Sequence, residues 1–134
     1  MNAKEKVSYV KALVSIATAD ERIEPEERQY FSQIGQLYGI SESEMEDIID
    51  SVLNKKESIE EILSSIGERG TKLLLIYELL ALCYADNKYS IAEKNGMKNI
   101  CRILGIEDEK LAALEGALEE SIKIQEKINT ILER

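Results

Sequence analysis

Two stretches of this 134-residue chain match each other at a constant spacing, and this repeat limits the folds that the chain can adopt. A shift of 66 residues aligns 13–41 with 79–107 without a gap and gives seven identical pairs. Unrelated segments of this length would share about two. The identical pairs are Leu13/Leu79, Ala19/Ala85, Asp20/Asp86, Glu27/Glu93, Ile34/Ile100, Gly39/Gly105 and Ile40/Ile106. The repeat predicts two copies of one unit, packed around a shared core and related by a pseudo-twofold axis.

The repeated unit has the pattern of three helices. Apolar residues recur at the i, i+3, i+4 spacing of amphipathic helices, and no segment alternates with a period of two. A single Pro and few aromatic residues favour the same class. We predict an all-α single domain over 1–134, with about seven helices. Its parts are repeat one at about 7–53, a connector helix in 54–70, repeat two at about 71–119, and an extension of the last helix over 120–134.

Capping and stop signals indicate where the helices begin and end. Pro25 suits the first position of the second helix, and Gly105 is typical of the residue after a helix end. Capping boxes predict helix starts at Ser41, Ser58 and Ser90. The first helix is expected over about 3–20, and Gly67 and Gly70 are expected to stop the fourth. The fifth, over about 71–86, is apolar nearly all round, which predicts that it forms the centre of the bundle.

The last helix begins near Asp108 and is long. Its apolar face is predicted to contain Leu111, Leu114, Leu118, Ile122, Gln125, Ile128 and Leu132, at alternating spacings of three and four. Two interpretations remain open, because this spacing is typical both of a lid on the bundle and of a helix that binds a partner or dimerises.

Composition and charge exclude several classes of function. With 17 basic and 26 acidic residues the net charge is −9, which argues against nucleic acid and anionic lipid as partners. The absence of His excludes Ser-His-Asp and Cys-His nucleophiles and the usual zinc sites. No apolar run is long enough for a signal peptide or a membrane helix, so we expect a cytoplasmic protein. Cys83 and Cys101 are expected to be buried, reduced thiols, offset too far for a disulfide.

The only chemistry that the sequence suggests lies in two matched acidic turns. Asp20 ends the first helix and Glu27 follows in the next, and Asp86 and Glu93 repeat this spacing. A carboxylate at a helix C-terminus is electrostatically unfavourable, so a local interaction should compensate for it. Either these residues only cap helices and turns, or their oxygens bind a divalent cation such as Ca²⁺, Mg²⁺ or Mn²⁺.

These turns resemble those of the tellurite-resistance TerB-like family. The resemblance rests on Ala19-Asp20 and Ala85-Asp86, the later Glu27 and Glu93, and the Gly-Ile pairs at 39–40 and 105–106. The family turn has Gly after the Asp, where this chain has Glu21 and Asn87. The resemblance implies a duplicated seven-helix fold and suspected metal ligands at Asp20, Glu27, Asp86 and Glu93. It further implies an interaction module of stress-response systems rather than a catalyst.

We therefore expect a non-enzymatic interaction module with a divalent-cation site at the duplicated turns. Its partner is expected to be a protein, with no nucleic acid and no membrane insertion. One alternative is a cation-dependent enzyme or regulator that uses the same carboxylates. A further alternative is an adaptor of the co-chaperone type that binds its partner through the long C-terminal helix.

Overall fold

A computed structural model describes residues 2–18, 25–85 and 89–133, and this part of the chain consists of seven helices without a strand. The all-α prediction is confirmed. The helices are α1 (Ala3–Ala17), α2 (Pro25–Leu37), α3 (Glu42–Leu53), α4 (Ile59–Leu63), α5 (Arg69–Ala85), α6 (Ile91–Leu104) and α7 (Asp108–Leu132). The pseudo-twofold relation and the boundaries between the repeats stay predictions.

Most helices begin where the capping residues predicted. The hydroxyls of Ser58 and Ser90 accept the N–H groups of Glu61 and Glu93, and both glutamates accept the serine N–H in return. Pro25 is the first residue of α2, as expected. Gly105 follows α6 with a φ of 73°, a left-handed conformation that glycine adopts at little cost. These local signals act within a few residues, which explains why the sequence locates them well.

Three helix boundaries lie a few residues from their predicted positions. The first helix ends at Ala17, because Thr18 leaves the helical conformation and its hydroxyl donates to the carbonyl of Val14 at 2.9 Å. The fourth helix ends at Leu63, before either predicted glycine stop, and the Ser64 hydroxyl donates to the carbonyl of Glu61. Gly70 lies in the first turn of α5 instead of before it, where a Cβ would meet no atom within 4 Å.

The central helix is α1, whereas the sequence indicated α5. Helix α1 packs against α2, α3, α4, α5 and α6, while α5 packs against α1, α6 and α7. Tyr9, Ala12 and Ile16 are among the buried residues of α1. Leu74 and Tyr77 of α5 are exposed, because no described helix covers that side. The more uniformly apolar helix is therefore not the more enclosed one.

The buried part of α7 stops well before the helix ends. Leu111 is buried, Leu114 and Leu118 are partly buried, and every residue from 123 to 133 is exposed. Gln125, Ile128 and Leu132 of the predicted apolar face therefore lie on the part of α7 that does not pack on the bundle. At a rise of 1.5 Å per residue, α7 extends about 16 Å beyond the packed part of the bundle. Leu37, at the end of α2, is also 83 % exposed.

The two cysteines lie in the core, as predicted. Both thiols are buried and neither forms a disulfide. Burial is the main cause that raises the pKa of Cys101 to about 11, with smaller contributions from Asp108 and Glu115. No helix in the described part of the chain is both long enough and apolar enough to cross a membrane.

Candidate functional site

The first acidic turn lies between α1 and α2. Asp20 is outside the described residues, whereas Glu27 is the third residue of α2 and is partly buried. A carboxylate in the first turn of a helix is stabilised by the positive end of the helix dipole. Its position is therefore compatible both with a structural role and with the binding of a cation.

The second acidic turn lies between α5 and α6, and here the structural role of one predicted ligand is defined. Asp86 lies outside the described residues. Glu93 accepts the N–H of Ser90 at 3.0 Å and donates its own N–H to the Ser90 hydroxyl at 3.1 Å. This is the capping alternative that the sequence left open for Glu93. A carboxylate has a second oxygen, so the cap does not exclude a role in binding a cation.

Packing brings the end of α1 close to the first half of α6. Near the end of α1, Ile16 approaches Gly96 of α6, where a Cβ would lie 2.5 Å from the Ile16 Cδ1 atom. Ile16 is four residues before Asp20, and Gly96 is three residues after Glu93. Gly96 therefore permits the close approach of α1, which leads into the first turn, and α6, which begins at the second.

The described residues do not by themselves form a metal site. Among them, no group of three or more Cys, Asp and Glu side chains could hold a metal ion. Asp20 and Asp86 lie outside the described residues, so the four-carboxylate site stays a prediction. The oxygen chemistry of Asp and Glu suits Ca²⁺, Mg²⁺ or Mn²⁺ rather than a soft metal.

A pair of tyrosines that was not predicted from the sequence connects the second acidic turn to α7. The Tyr89 hydroxyl donates to Glu115 at 2.7 Å, and the Tyr84 hydroxyl donates to Glu119 at 2.9 Å. The two rings lie 4.8 Å apart, and the Lys94 ammonium lies 5.7 Å from the centre of the Tyr89 ring. The spacing of Glu115 and Glu119 by one helical turn was the available signal, since it places both on one face of α7.

Burial is the main cause that raises the pKa of both Tyr84 and Tyr89, and the adjacent carboxylates raise it further. The phenols therefore remain protonated donors at neutral pH.

Beside the two tyrosines, a surface pocket of about 440 Å³ lies between α5 and α7. Its lining residues are Tyr84, Tyr89, Glu119, Ile122, Lys123 and Glu126. The pocket therefore lies between Tyr89, in the second acidic turn, and the part of α7 where packing on the bundle ends.

A second tyrosine cluster lies where α1 meets the end of α2 and has a structural role. Tyr9 and Tyr38 have ring centres 5.6 Å apart. Burial raises the pKa of Tyr9, Tyr30 and Tyr38, and the Glu78 carboxylate of α5 raises all three further. The Tyr9 hydroxyl is buried and makes no hydrogen bond of normal geometry to a described residue. This cluster contributes to the packing of α1 against the end of α2.

Another surface pocket lies where α1 and α3 end. Its volume is about 940 Å³, and Thr18, Lys56 and Glu61 are among its lining residues. Lys11 forms an ion pair with Glu57, another lining residue. The pocket therefore adjoins the beginning of the first acidic turn and has charges of both signs at its rim.

The comparisons with known proteins agree with one another. The family model described as tellurite resistance protein TerB matches residues 6–115. A crystal structure of a tellurite resistance protein from Nostoc punctiforme PCC 73102 superposes with a TM-score of 0.70 at 21 % sequence identity. That superposition covers 98 % of this chain and 82 % of the Nostoc chain, and at this identity it shows a shared fold. No curated protein matches the sequence.

The bond between Tyr89 and Glu115 gives a pH-dependent prediction. The pKa of the Tyr89 phenol is raised in the folded protein. The contribution of this hydrogen bond to stability is therefore complete below the unfolded phenol pKa of about 10 and declines as the pH rises above it. We expect Tyr89→Phe to lower the free energy of unfolding by about 1 kcal/mol at neutral pH. Urea denaturation should show this difference shrinking toward pH about 11. The exposed Tyr77→Phe is the control, and a difference for Tyr89→Phe that does not change with pH contradicts the assignment.

Proposed function

This chain belongs to the TerB family of tellurite resistance proteins, and we propose that it acts in resistance to tellurite as a non-enzymatic interaction module. The observation that supports this role most strongly is the exposed end of α7. Ile124, Ile128 and Ile131, here called the isoleucine stripe, are 59 %, 43 % and 62 % exposed. Their spacing of four and three places them along one face of the helix. A contiguous apolar face on a helix that projects into solvent is typical of a protein-binding surface.

The position of α7 supports the same role. Its first half is held to the bundle by Leu111, Leu114 and the tyrosine bonds to Glu115 and Glu119. The second half of α7 therefore extends into solvent from a first half that is fixed on the bundle. A helix whose apolar face is fixed before binding loses less conformational entropy in a complex than a disordered segment does. The adaptor role of the C-terminal helix and the interaction-module role therefore rest on the same surface.

As part of this proposal, the two acidic turns form one divalent-cation site that uses Asp20, Glu27, Asp86 and Glu93. The approach of Ile16 to Gly96 supports it, because this contact brings together the helices that flank the two turns. The cation would lie at one end of the α1–α2 and α5–α6 hairpins and would hold them together. We propose that it stabilises the module, with Ca²⁺, Mg²⁺ or Mn²⁺ as the matching ions.

Metal-dependent melting tests the cation site. A cation that binds only the folded protein should raise its stability by about 2.7 kcal/mol at 100 times the dissociation constant. We expect Ca²⁺, Mg²⁺ or Mn²⁺ to raise the melting temperature of metal-stripped protein, and Asp20→Asn/Asp86→Asn to abolish the shift. Asp47→Asn/Asp50→Asn removes two exposed carboxylates of α3 as the matched control. No shift in the parent protein, or an equal shift in both double variants, contradicts the site.

Substitutions in the isoleucine stripe test the interaction role. Ile124→Glu/Ile131→Glu places charges on the exposed face, where burial against a partner becomes unfavourable. We expect cells that express this variant to survive less well on tellurite than cells with the parent protein. Circular dichroism should show that its helix content and melting temperature are retained, because neither side chain contributes to the core.

Leu37→Glu is the control for this experiment, because Leu37 is 83 % exposed and lies on α2. It adds a charge to another apolar surface position, and we expect survival equal to that of the parent. Survival of the stripe variant at the parent level, with equal amounts of folded protein, contradicts the proposed role of α7.

A further inference from the structure

We propose that the partner of the isoleucine stripe is a second copy of this chain, bound as an antiparallel pair of α7 helices. A twofold axis would cross the pair near Ile122. This inference rests on the proposed function, since it names the partner of the same surface. It is supported by the direction in which the stripe points, by the size of the side chains along it and by the charges beside it.

The stripe points away from the core. At 100° per residue, it is rotated by roughly 100° from the face that Leu111, Leu114 and Leu118 turn toward the bundle. The same exposed face continues backward along α7 through Ala113 and Ala117. One continuous face therefore has small residues in the half that the bundle supports and isoleucines in the half that projects.

These two halves fit each other in an antiparallel pair. With the axis near Ile122, Ala113 of one copy lies opposite Ile131 of the second copy, and Ala117 lies opposite Ile128. Small residues opposite large ones allow two helices to interdigitate closely. A twofold interface of this kind uses the same patch on both copies and closes at a dimer.

Gly116 supports the close approach of a second α7 helix to this one. Glycine weakens the interior of a helix, yet Gly116 lies in the middle of α7. A Cβ at this position would meet nothing within 4 Å, so no contact described within the monomer requires glycine. The residue lies beside Ala113 and Ala117, at the height where the pairing places Ile128 of the second copy.

The charges beside the stripe favour the antiparallel direction. Glu120, Lys123 and Lys127 are exposed along one flank of this face. In an antiparallel pair the same flank of each helix meets its counterpart. Measured along the helix axis, Glu120 then lies within about 1.5 Å of Lys123 and within about 4.5 Å of Lys127 of the second copy. Each dimer thus has this arrangement twice. In a parallel pair the flank would instead face Ser121 and Gln125, which offer no opposite charge.

Sedimentation of the full chain, from micromolar to millimolar concentration, tests the pairing. We expect a monomer–dimer equilibrium in the parent protein. Ile128→Glu should remain monomeric throughout, and Glu120→Lys should raise the dissociation constant about tenfold, since it replaces attraction by repulsion. Lys123→Glu/Lys127→Glu should weaken the dimer to a similar extent. A folded parent that sediments as a monomer at every concentration overturns the inference.

Mixing the charge variants is the most specific arm of the test. Glu120→Lys has three positive side chains on the flank, and Lys123→Glu/Lys127→Glu has three negative ones. An equimolar mixture should therefore form heterodimers at least as tightly as the parent forms homodimers. Failure of the mixture to associate, while the parent does, contradicts the charge pairing and hence the antiparallel register.

Oxidative cross-linking tests the direction of the pair. Ser121→Cys lies near the proposed axis, so its thiol should form an intermolecular disulfide. Ile131→Cys would lie about 27 Å along the axis from its counterpart and should not. The opposite pattern indicates a parallel pair and overturns the antiparallel one.

The dimer and the proposed function can fail separately. If the parent is monomeric but Ile124→Glu/Ile131→Glu still lowers survival on tellurite, the second copy is the wrong partner and the surface binds another protein. If the parent dimerises and the stripe variant survives like the parent, the dimer exists but the proposed interaction role is wrong.

Discussion

The bundle is organised around α1, which its neighbours enclose on most sides. Five other helices pack against it, and Leu13 and Val14 at its centre are fully buried. The close approach of Ile16 to Gly96 then fixes the end of α1 against α6. Because α1 leads into the first acidic turn and α6 begins at the second, the geometry of the proposed cation site depends on the packing of α1. Helix α7 contacts only α5 and α6 among the described helices, which leaves its far half available for binding.

Local features of the fold could be predicted from the sequence, because a few neighbouring residues determine them. The Ser58 and Ser90 caps, the start of α2 at Pro25 and the left-handed Gly105 are of this kind. The identity of the central helix could not be predicted. Tyr9 and Ala12 make α1 less evidently apolar than α5, yet burial depends on how many neighbours surround a helix rather than on its mean hydropathy.

The candidate surfaces were predictable only in part. The spacing of three and four along α7 is the same in its buried and its exposed halves, so the pattern alone does not indicate where the bundle ends. The bond from Tyr89 to Glu115 joins residues 26 apart in sequence, and no local signal predicts such a pair. For the acidic turns, Glu93 has the capping role that its spacing from Ser90 indicated, while the cation site stays a prediction.

Native-state hydrogen exchange along α7 distinguishes the half of the helix that packs on the bundle from the half that projects. We expect amides near Leu111 and Leu114 to be protected at all protein concentrations, because that half of the helix packs on the bundle. Amides from Ile124 to Ile131 should exchange rapidly in dilute protein and become protected as the concentration rises. Protection of this second half that is strong and independent of concentration would show that the monomer itself stabilises it, and would contradict the account.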